Sequence, residues 1–390
     1  MALTTVSSDR LSTNVKNTNF TAAEKQDLTD DILPLAGQVG NRNLIINGAM
    51  QVAQRNTSVT GITSGDYYVC DRWKLGYGTA GTWTLAKSTD TPDGFGSSFK
   101  FDCTTANGSL SAGSNLQLLQ FFEGQNLQNI QKGTSTAKEI TVSFYVKTNK
   151  TGTYIVELMD HDNSNRHCSK SYTVTDTNWN RYTLTFPADT TGALDNDNAK
   201  SFEIGFWLAA GSNFTTGSLQ TSWGALSQST RAVGQVNLAD NTSNEWYITG
   251  VQLEVGSVAT DFEHKSYGDT LWDCQRYLAQ LGRADSGEDT YTVQGLQAYS
   301  TSAIFGTIGH WPRQMRAKPT ITLVGVIKCA DKAANNVYSP ASGSYNRSSK
   351  DAVGSTALSF SSTYFIQGGF AAAITGAADG ANYIQGDAEL

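Results

Sequence analysis

Apolar and polar positions alternate along most of the chain with a period of two. In Phe202-Glu203-Ile204-Gly205-Phe206-Trp207-Leu208, one face holds Phe202, Ile204, Phe206 and Leu208, and the other holds Glu203, Gly205 and Trp207, because successive strand side chains point to opposite faces. The same alternation predicts strands over Lys138–Lys147, Thr153–Met159, Arg181–Phe186 and Trp246–Val255, each bounded by the Gly, Asn and Asp clusters that build turns. No helical period interrupts the stretch from Asn43 to Lys265. Tyr267–Tyr277 predicts a short helix and a boundary. After it, Thr290–Tyr299, Ala303–Trp311 and Pro319–Val326 resume the strand pattern, and strands are expected to end close to Leu390.

Short strands separated by loops as long as Asp160–His167 and Ala188–Ala199 suit a jelly roll. The sequence therefore predicts a mainly β protein: a jelly-roll β-sandwich over residues 43–265, a short helical linker over 266–282 and a second β domain over 283–390. Ahead of these, residues 1–42 form a separate arm, polar and aperiodic as far as Phe20. Thr21-Ala22-Ala23-Glu24 then reads as a capping box, and Ala23, Leu28 and Ile32 give a thin apolar stripe that stops at Pro34. A helix with so narrow a stripe is not stable alone. The arm either docks on a partner subunit or larger assembly, or it frays.

Charge and composition remove several function classes. Against 35 Asp and Glu stand 28 Lys and Arg, a net charge of −7, whereas nucleic-acid affinity rests on clustered cations. No nucleic-acid partner is expected. No run of about 18 apolar residues occurs and the N-terminus has neither a basic nor an apolar leader region. The expectation is a soluble protein made in a cytosol, with no membrane insertion. Cys70, Cys103, Cys168, Cys274 and Cys329 are far apart and odd in number, which suits reduced, mostly buried thiols better than a disulfide framework or a zinc site.

Alternation also selects candidate site residues. Trp207 points away from the core face, and so does Tyr145 by the count that makes Val142, Phe144 and Val146 core; Glu157 lies opposite the core side of its strand. Sugar binding needs aromatic platforms for C–H-rich ring faces and polar groups for hydroxyls, and Trp207, Tyr145 and Glu157 supply both if left open. Covered by a loop or a subunit, they are contact residues instead. No cofactor is expected: Gly76-Tyr77-Gly78-Thr79-Ala80-Gly81 matches a dinucleotide-binding string, but Thr82-Trp83-Thr84-Leu85 continues as strand where that fingerprint needs a helix. Asp160-His161-Asp162-Asn163-Ser164-Asn165 and Asp195-Asn196-Asp197-Asn198 alternate oxygen ligands as calcium loops do, yet neither completes an EF-hand, and no metal is assigned. His161, His167, His264 and His310 come without a nucleophile elbow, a paired-histidine motif or an active-site cysteine signature. No enzyme is expected, although paired carboxylates for glycoside hydrolysis are a matter of three dimensions.

A resemblance adds to these readings. Asn43-Leu44-Ile45-Ile46-Asn47-Gly48-Ala49-Met50-Gln51 with Asp71-Arg72-Trp73, and Ile248-Thr249-Gly250-Val251-Gln252-Leu253-Glu254-Val255-Gly256, resemble the first and last strands of carbohydrate-binding-module-like jelly rolls, and Trp179-Asn180-Arg181-Tyr182 matches an internal strand of that family. With Val258–His264, Cys274-Gln275-Arg276-Tyr277, Met315-Arg316-Ala317-Lys318-Pro319-Thr320 and Asp387-Ala388-Glu389-Leu390, the string is similar to virion appendage proteins of tailed bacteriophages, notably marine and cyanobacterial ones. The resemblance implies a tail fibre recognising host surface glycans, a homotrimer, and partners among other virion proteins reached through the N-terminal arm; the other reading is a non-adhesive component such as a capsid-decorating fibre or tail protein. It makes Trp73 and Trp179 core residues of family-like strands, while Trp83, Trp223 and Trp311 carry no assignment. Gln51 and Thr249-Gly250 stand where calcium-binding relatives have carboxylates, which puts the family calcium in doubt.

Overall fold

The computed structural model describes residues 42–281, 311–324 and 383–390, together with short strands in the stretches between. The predicted arm, apart from Arg42, lies outside the described residues, as does His310, while Cys329 falls in one of the short strands, Ile327–Asp331.

Eleven strands build the sandwich: β1 Ser58–Ile62, β2 Lys74–Gly78, β3 Thr82–Ser88, β4 Ser98–Thr105, β5 Asn115–Glu123, β6 Ile140–Thr148, β7 Gly152–Asp160, β8 Arg166–Val174, β9 Asn180–Phe186, β10 Lys200–Ala210 and β11 Glu245–Val255. They form two antiparallel sheets, six-stranded in the order β1-β3-β4-β11-β6-β9 and five-stranded in the order β2-β5-β10-β7-β8. The fold is the expected jelly-roll β-sandwich. Between the sheets lies one apolar core in which Phe202, Ile204, Phe206 and Leu208 meet Val142, Phe144, Val146, Trp246 and Ile248. Burying each such side chain contributes about 1.5–3 kcal/mol.

The predicted facing of these strands is correct. Trp73 is core, its indole N–H donating to Asn47 O at 3.1 Å, and Trp83 joins it. The dinucleotide-like string covers the end of β2 and the tight turn before β3, so a strand and not a helix follows it. Cys70, Cys103, Cys168 and Cys274 are buried free thiols.

Trp179 corrects the sequence reading. Asn180 pairs with the core-facing Val146, so Trp179 falls on the opposite side of the sheet. There it is half-buried, donates its indole N–H to Asp90 Oδ1 at 3.0 Å and meets Tyr247 edge-on. The stretch 43–265 is also not wholly free of helix: α1 (Ser212–Thr215) is a single turn after β10.

Beyond the sandwich, the expected linker helix is α2 (Tyr267–Cys274), capped by the Ser266 hydroxyl accepting from the Asp269 amide. The rest of that predicted linker is not a linker. Leu278–Leu281 (β12) pairs antiparallel with the strand Tyr383–Asp387, which also pairs with Thr320–Val324. The last residues then return to the sandwich: Ala388 N donates to Tyr277 O at 2.7 Å, and Leu390 packs on Tyr67, Leu119 and Phe121. Glu389 is held by Arg55 and the buried Arg72, whose guanidinium lies 3.4 Å from the ring centre of Tyr277.

Candidate functional site

The five-stranded sheet has a second buried face, turned away from the core. Along it run Leu119, Gly205 and Glu157 in one row and Gln117, Trp207 and Ile155 in the next, as their pairings require. Two coverings lie on this face. The C-terminal residues cover one end. Residues 211–236, which link β10 to β11, cross the other as a strap.

Backbone hydrogen bonds fix the strap. Ser169 N donates to Gln220 O at 2.7 Å, and His167 and Gly224 exchange a pair at 3.0 and 3.2 Å, so the strap adds to the free edge of β8. Val236 N to Thr153 O and Gly211 N to Ser114 O pin its two ends, and Ala232 N to Phe214 O ties one arm to the other. An unpaired sheet edge is a hazard that proteins cover, and here the strap covers it.

Trp207 and Glu157 meet beneath this strap. Trp207 is fully buried with Ile155 and Ala232, and Phe214 of α1 lies over it with ring centres 5.1 Å apart. Its indole N–H donates to Glu157 Oε2 at 3.1 Å. Arg231 from the strap grips the same carboxylate, Nε to Oε1 at 2.9 Å and Nη2 to Oε2 at 2.8 Å, while its guanidinium stacks 5.1 Å from the Trp207 ring. His167 Nδ1 sits 3.0 Å from Oε1 without an aligned hydrogen bond. Burial disfavours the charged form of Glu157, but Arg231 and the neighbouring His167 together outweigh it and hold the carboxyl below its usual range.

Two of the three sequence-selected residues thus come together, and neither is open to a sugar. The third is elsewhere. Tyr145 stands on the outer face of the other sheet, where its ring packs 5.3 Å from Phe95, which in turn meets Phe262 and His264. At the adjoining bulge in β11, Gly250 has φ of +61°, and a Cβ there would run into the Phe95 and Tyr145 rings. Tyr145 therefore helps to close the segment after β11 over its sheet. The expected shared face of Trp207, Tyr145 and Glu157 is replaced by two separate packing clusters on opposite sheets.

The acidic loops are also occupied from within. Lys132 Nζ enters the loop after β7, pairing with Asp160 and lying 3.0 Å from Asp189 Oδ2, 3.0 Å from Thr191 O and 2.8 Å from Gly192 O. An ammonium group fills this oxygen-lined cage. Asp162 Oδ2 accepts from Asp195 N at 2.9 Å, so the two acidic loops brace one another. Among the described residues, no group of three or more His, Cys, Asp and Glu is arranged to hold a metal ion.

The open concavity on this side lies on the outer surface of the strap. It is a depression of about 760 Å³ lined by Ser212, Asn213, Phe214, Thr216, Ser227, Gln228 and Ser229. Neutral hydroxyl and amide side chains surround one aromatic ring whose far side rests on Trp207. Sequence reasoning missed these residues because Gly211–Thr230 is rich in Gly, Ser and Thr and carries neither a strand nor a helix period. Arg231 gave no signal either, since its partner Glu157 is 74 residues away.

No protein-family model matches the chain, and no curated protein matches it. Solved structures do. The enzymatically active domain of bacteriophage CBA120 tailspike protein 4 aligns at 15% identity and a TM-score of 0.31, over 55% of this chain and 21% of that one. A family 4 carbohydrate-binding module aligns at 14% identity and 0.28, over 54% and 97%. The carbohydrate-binding module TmCBM61, solved with beta-1,4-galactotriose, aligns at 12% identity and 0.28, over 55% and 99%.

Proposed function

We propose that the protein is a structural appendage of a tailed-bacteriophage virion, a tail fibre that recognises glycans on the host surface without cleaving them. The observation that carries glycan recognition is the strap depression: six neutral hydrogen-bonding side chains, Ser212, Asn213, Thr216, Ser227, Gln228 and Ser229, around the half-buried ring of Phe214. A few placed polar groups beside an aromatic platform suit a sugar ring. The virion assignment is supported by the string of motifs from Asn43 to Leu390. Assembly as a homotrimer, with the N-terminal arm on other virion proteins, belongs to the same reading. Several copies on one particle would multiply weak sugar contacts through effective concentration.

The burial of Trp207 favours a second reading. The tryptophan that alternation presents as a platform is closed off by the chain's own strap, as in a non-adhesive component such as a capsid-decorating fibre or tail protein.

Immunogold labelling of intact virions, combined with adsorption of Phe214→Ala particles to host cells, separates the two. Label on fibres and reduced adsorption support the adhesin. Label on the head or tail trunk with unchanged adsorption supports the structural component, and unlabelled virions defeat both.

A further inference from the structure

We propose that the strap depression accepts an uncharged sugar ring and that Gln228, oriented from below by the Glu157–Arg231 pair, is the donor that selects it. This rests on the glycan-binding reading and adds the sugar chemistry and the residue that sets specificity.

Charge is the first argument. None of the seven lining residues is ionisable. The cation beneath them, Arg231, is already engaged by both oxygens of Glu157. A sugar carboxylate or sulfate entering the depression would lose water and find no lining cation in exchange. It would also approach a chain of net charge −7. A neutral ring meets neither obstacle.

Orientation is the second. Arg231 Nη1 donates to Gln228 Oε1 at 3.1 Å. A guanidinium has donors only, so the end of the amide facing it is the carbonyl oxygen. The amide NH2 is the end left for a ligand, and it brings two donors. The buried pair thus sets the polarity of a surface side chain: Glu157 fixes Arg231, and Arg231 fixes which way Gln228 is turned. Ser212, Asn213 and Thr216 add exposed hydroxyl and amide groups to the lining. These complementary donors and acceptors match hydroxyls, which are both at once. Phe214, backed by Trp207, offers a ring for the C–H face of the sugar.

The test uses the full chain on an array of neutral probes (cello-, xylo-, manno- and galacto-oligosaccharides) and acidic ones (oligogalacturonate, oligoalginate and oligosialic acid), at low and high salt. Neutral probes alone should be retained, with little salt dependence. Gln228→Ala should weaken binding roughly fivefold, the effect of one lost hydrogen bond, with an unchanged melting temperature. Gln228→Glu, which keeps a partner for Arg231 but replaces the donors with a carboxylate, should weaken it at least as much. Preference for acidic probes, or loss of binding in Phe214→Ala and Asn213→Ala without any effect of the Gln228 variants, would overturn the inference while leaving a glycan site in place. Binding to no probe, or binding that survives Phe214→Ala and Asn213→Ala, would instead remove the glycan reading of this depression.

Discussion

Trp207 and Glu157 are joined across neighbouring strands by an indole N–H donated to a carboxylate oxygen at 3.1 Å. The bond makes Trp207 a floor for the strap. Trp207→Phe keeps most of the buried ring and removes the donor, so it should lower stability by about 1–2 kcal/mol. Trp207→Ala also opens a cavity and should cost about 3–5 kcal/mol. Urea denaturation measures both losses: a Trp207→Phe variant as stable as wild type would show that the hydrogen bond contributes nothing, and equal losses in the two variants would show that the buried ring adds nothing beyond it.

Removing Arg231 leaves the Glu157 carboxylate buried beside Trp207 and His167 without its cation. Arg231→Ala should therefore destabilise by about 3–5 kcal/mol at neutral pH. The pH dependence follows from the sign of the shift. Glu157 is held below its ordinary value of 4.5, so the pair contributes stability above that value and loses it as pH falls through the lower folded-state value. The wild-type protein should lose stability along this acid limb, and Arg231→Ala should lack it. A variant whose acid limb matches the wild type would refute the assignment.

Asp71 behaves in the opposite sense. It is fully buried, accepts from Gln54 N at 2.9 Å and Gln54 Nε2 at 2.5 Å, and is pushed up to about 6 by burial, against the pull of Arg55. Its charged form is therefore favoured less in the folded chain than in the unfolded one. That penalty is absent at pH below its ordinary 3.8 and grows until pH passes about 6. Asp71→Asn should remove a component of stability that declines across this window. Melting temperatures of the variant and wild type, measured from about pH 4 to about pH 7, should converge at the acid end. Parallel curves would contradict the prediction.

Glu389 is the counter-ion of Arg72 and Arg55, both largely buried. Glu389→Ala should cost about 3–5 kcal/mol, since it strands buried guanidinium charge. Hydrogen exchange should quicken first at the Ala388 amide, which bonds Tyr277 O, while β10 and β11 stay protected. Uniform loss of protection would mean that the tail does not act locally.

Much of the sandwich was legible because its strands bury one face. Alternation placed β6, β7, β9, β10 and β11 within a few residues and turned Trp207, Tyr145 and Glu157 the right way. It could not say which sheet a strand joins, and so put Tyr145 beside residues that lie on the opposite sheet. Nor does periodicity register a covering loop. The strap owes its place to backbone bonds with the edge of β8 and to the long-range Arg231–Glu157 pair, neither of which leaves a mark in local composition. Trp179 was misplaced by one position, and in a strand one position exchanges inside for outside.

The pairing of β12 with Tyr383–Asp387 has a mechanical consequence. The chain leaves the sandwich along β12 and returns to it along the antiparallel strand Tyr383–Asp387, whose other edge pairs with Thr320–Val324. A pull on this three-stranded stem reaches the sandwich at Tyr277, at Glu389 and at Arg316, whose guanidinium donates to Asn198 O at 3.0 Å. The Tyr277 hydroxyl donates to Glu123 on β5, and Glu389 is gripped by Arg72 just before β2, so these two roots end on hydrogen-bonded neighbours in the same sheet. Much of the tension is thus handed to adjacent strands of a single layer, and tearing the stem free requires the Tyr277 hydrogen bond, the Glu389 ion pairs and the Arg316 contacts all to fail.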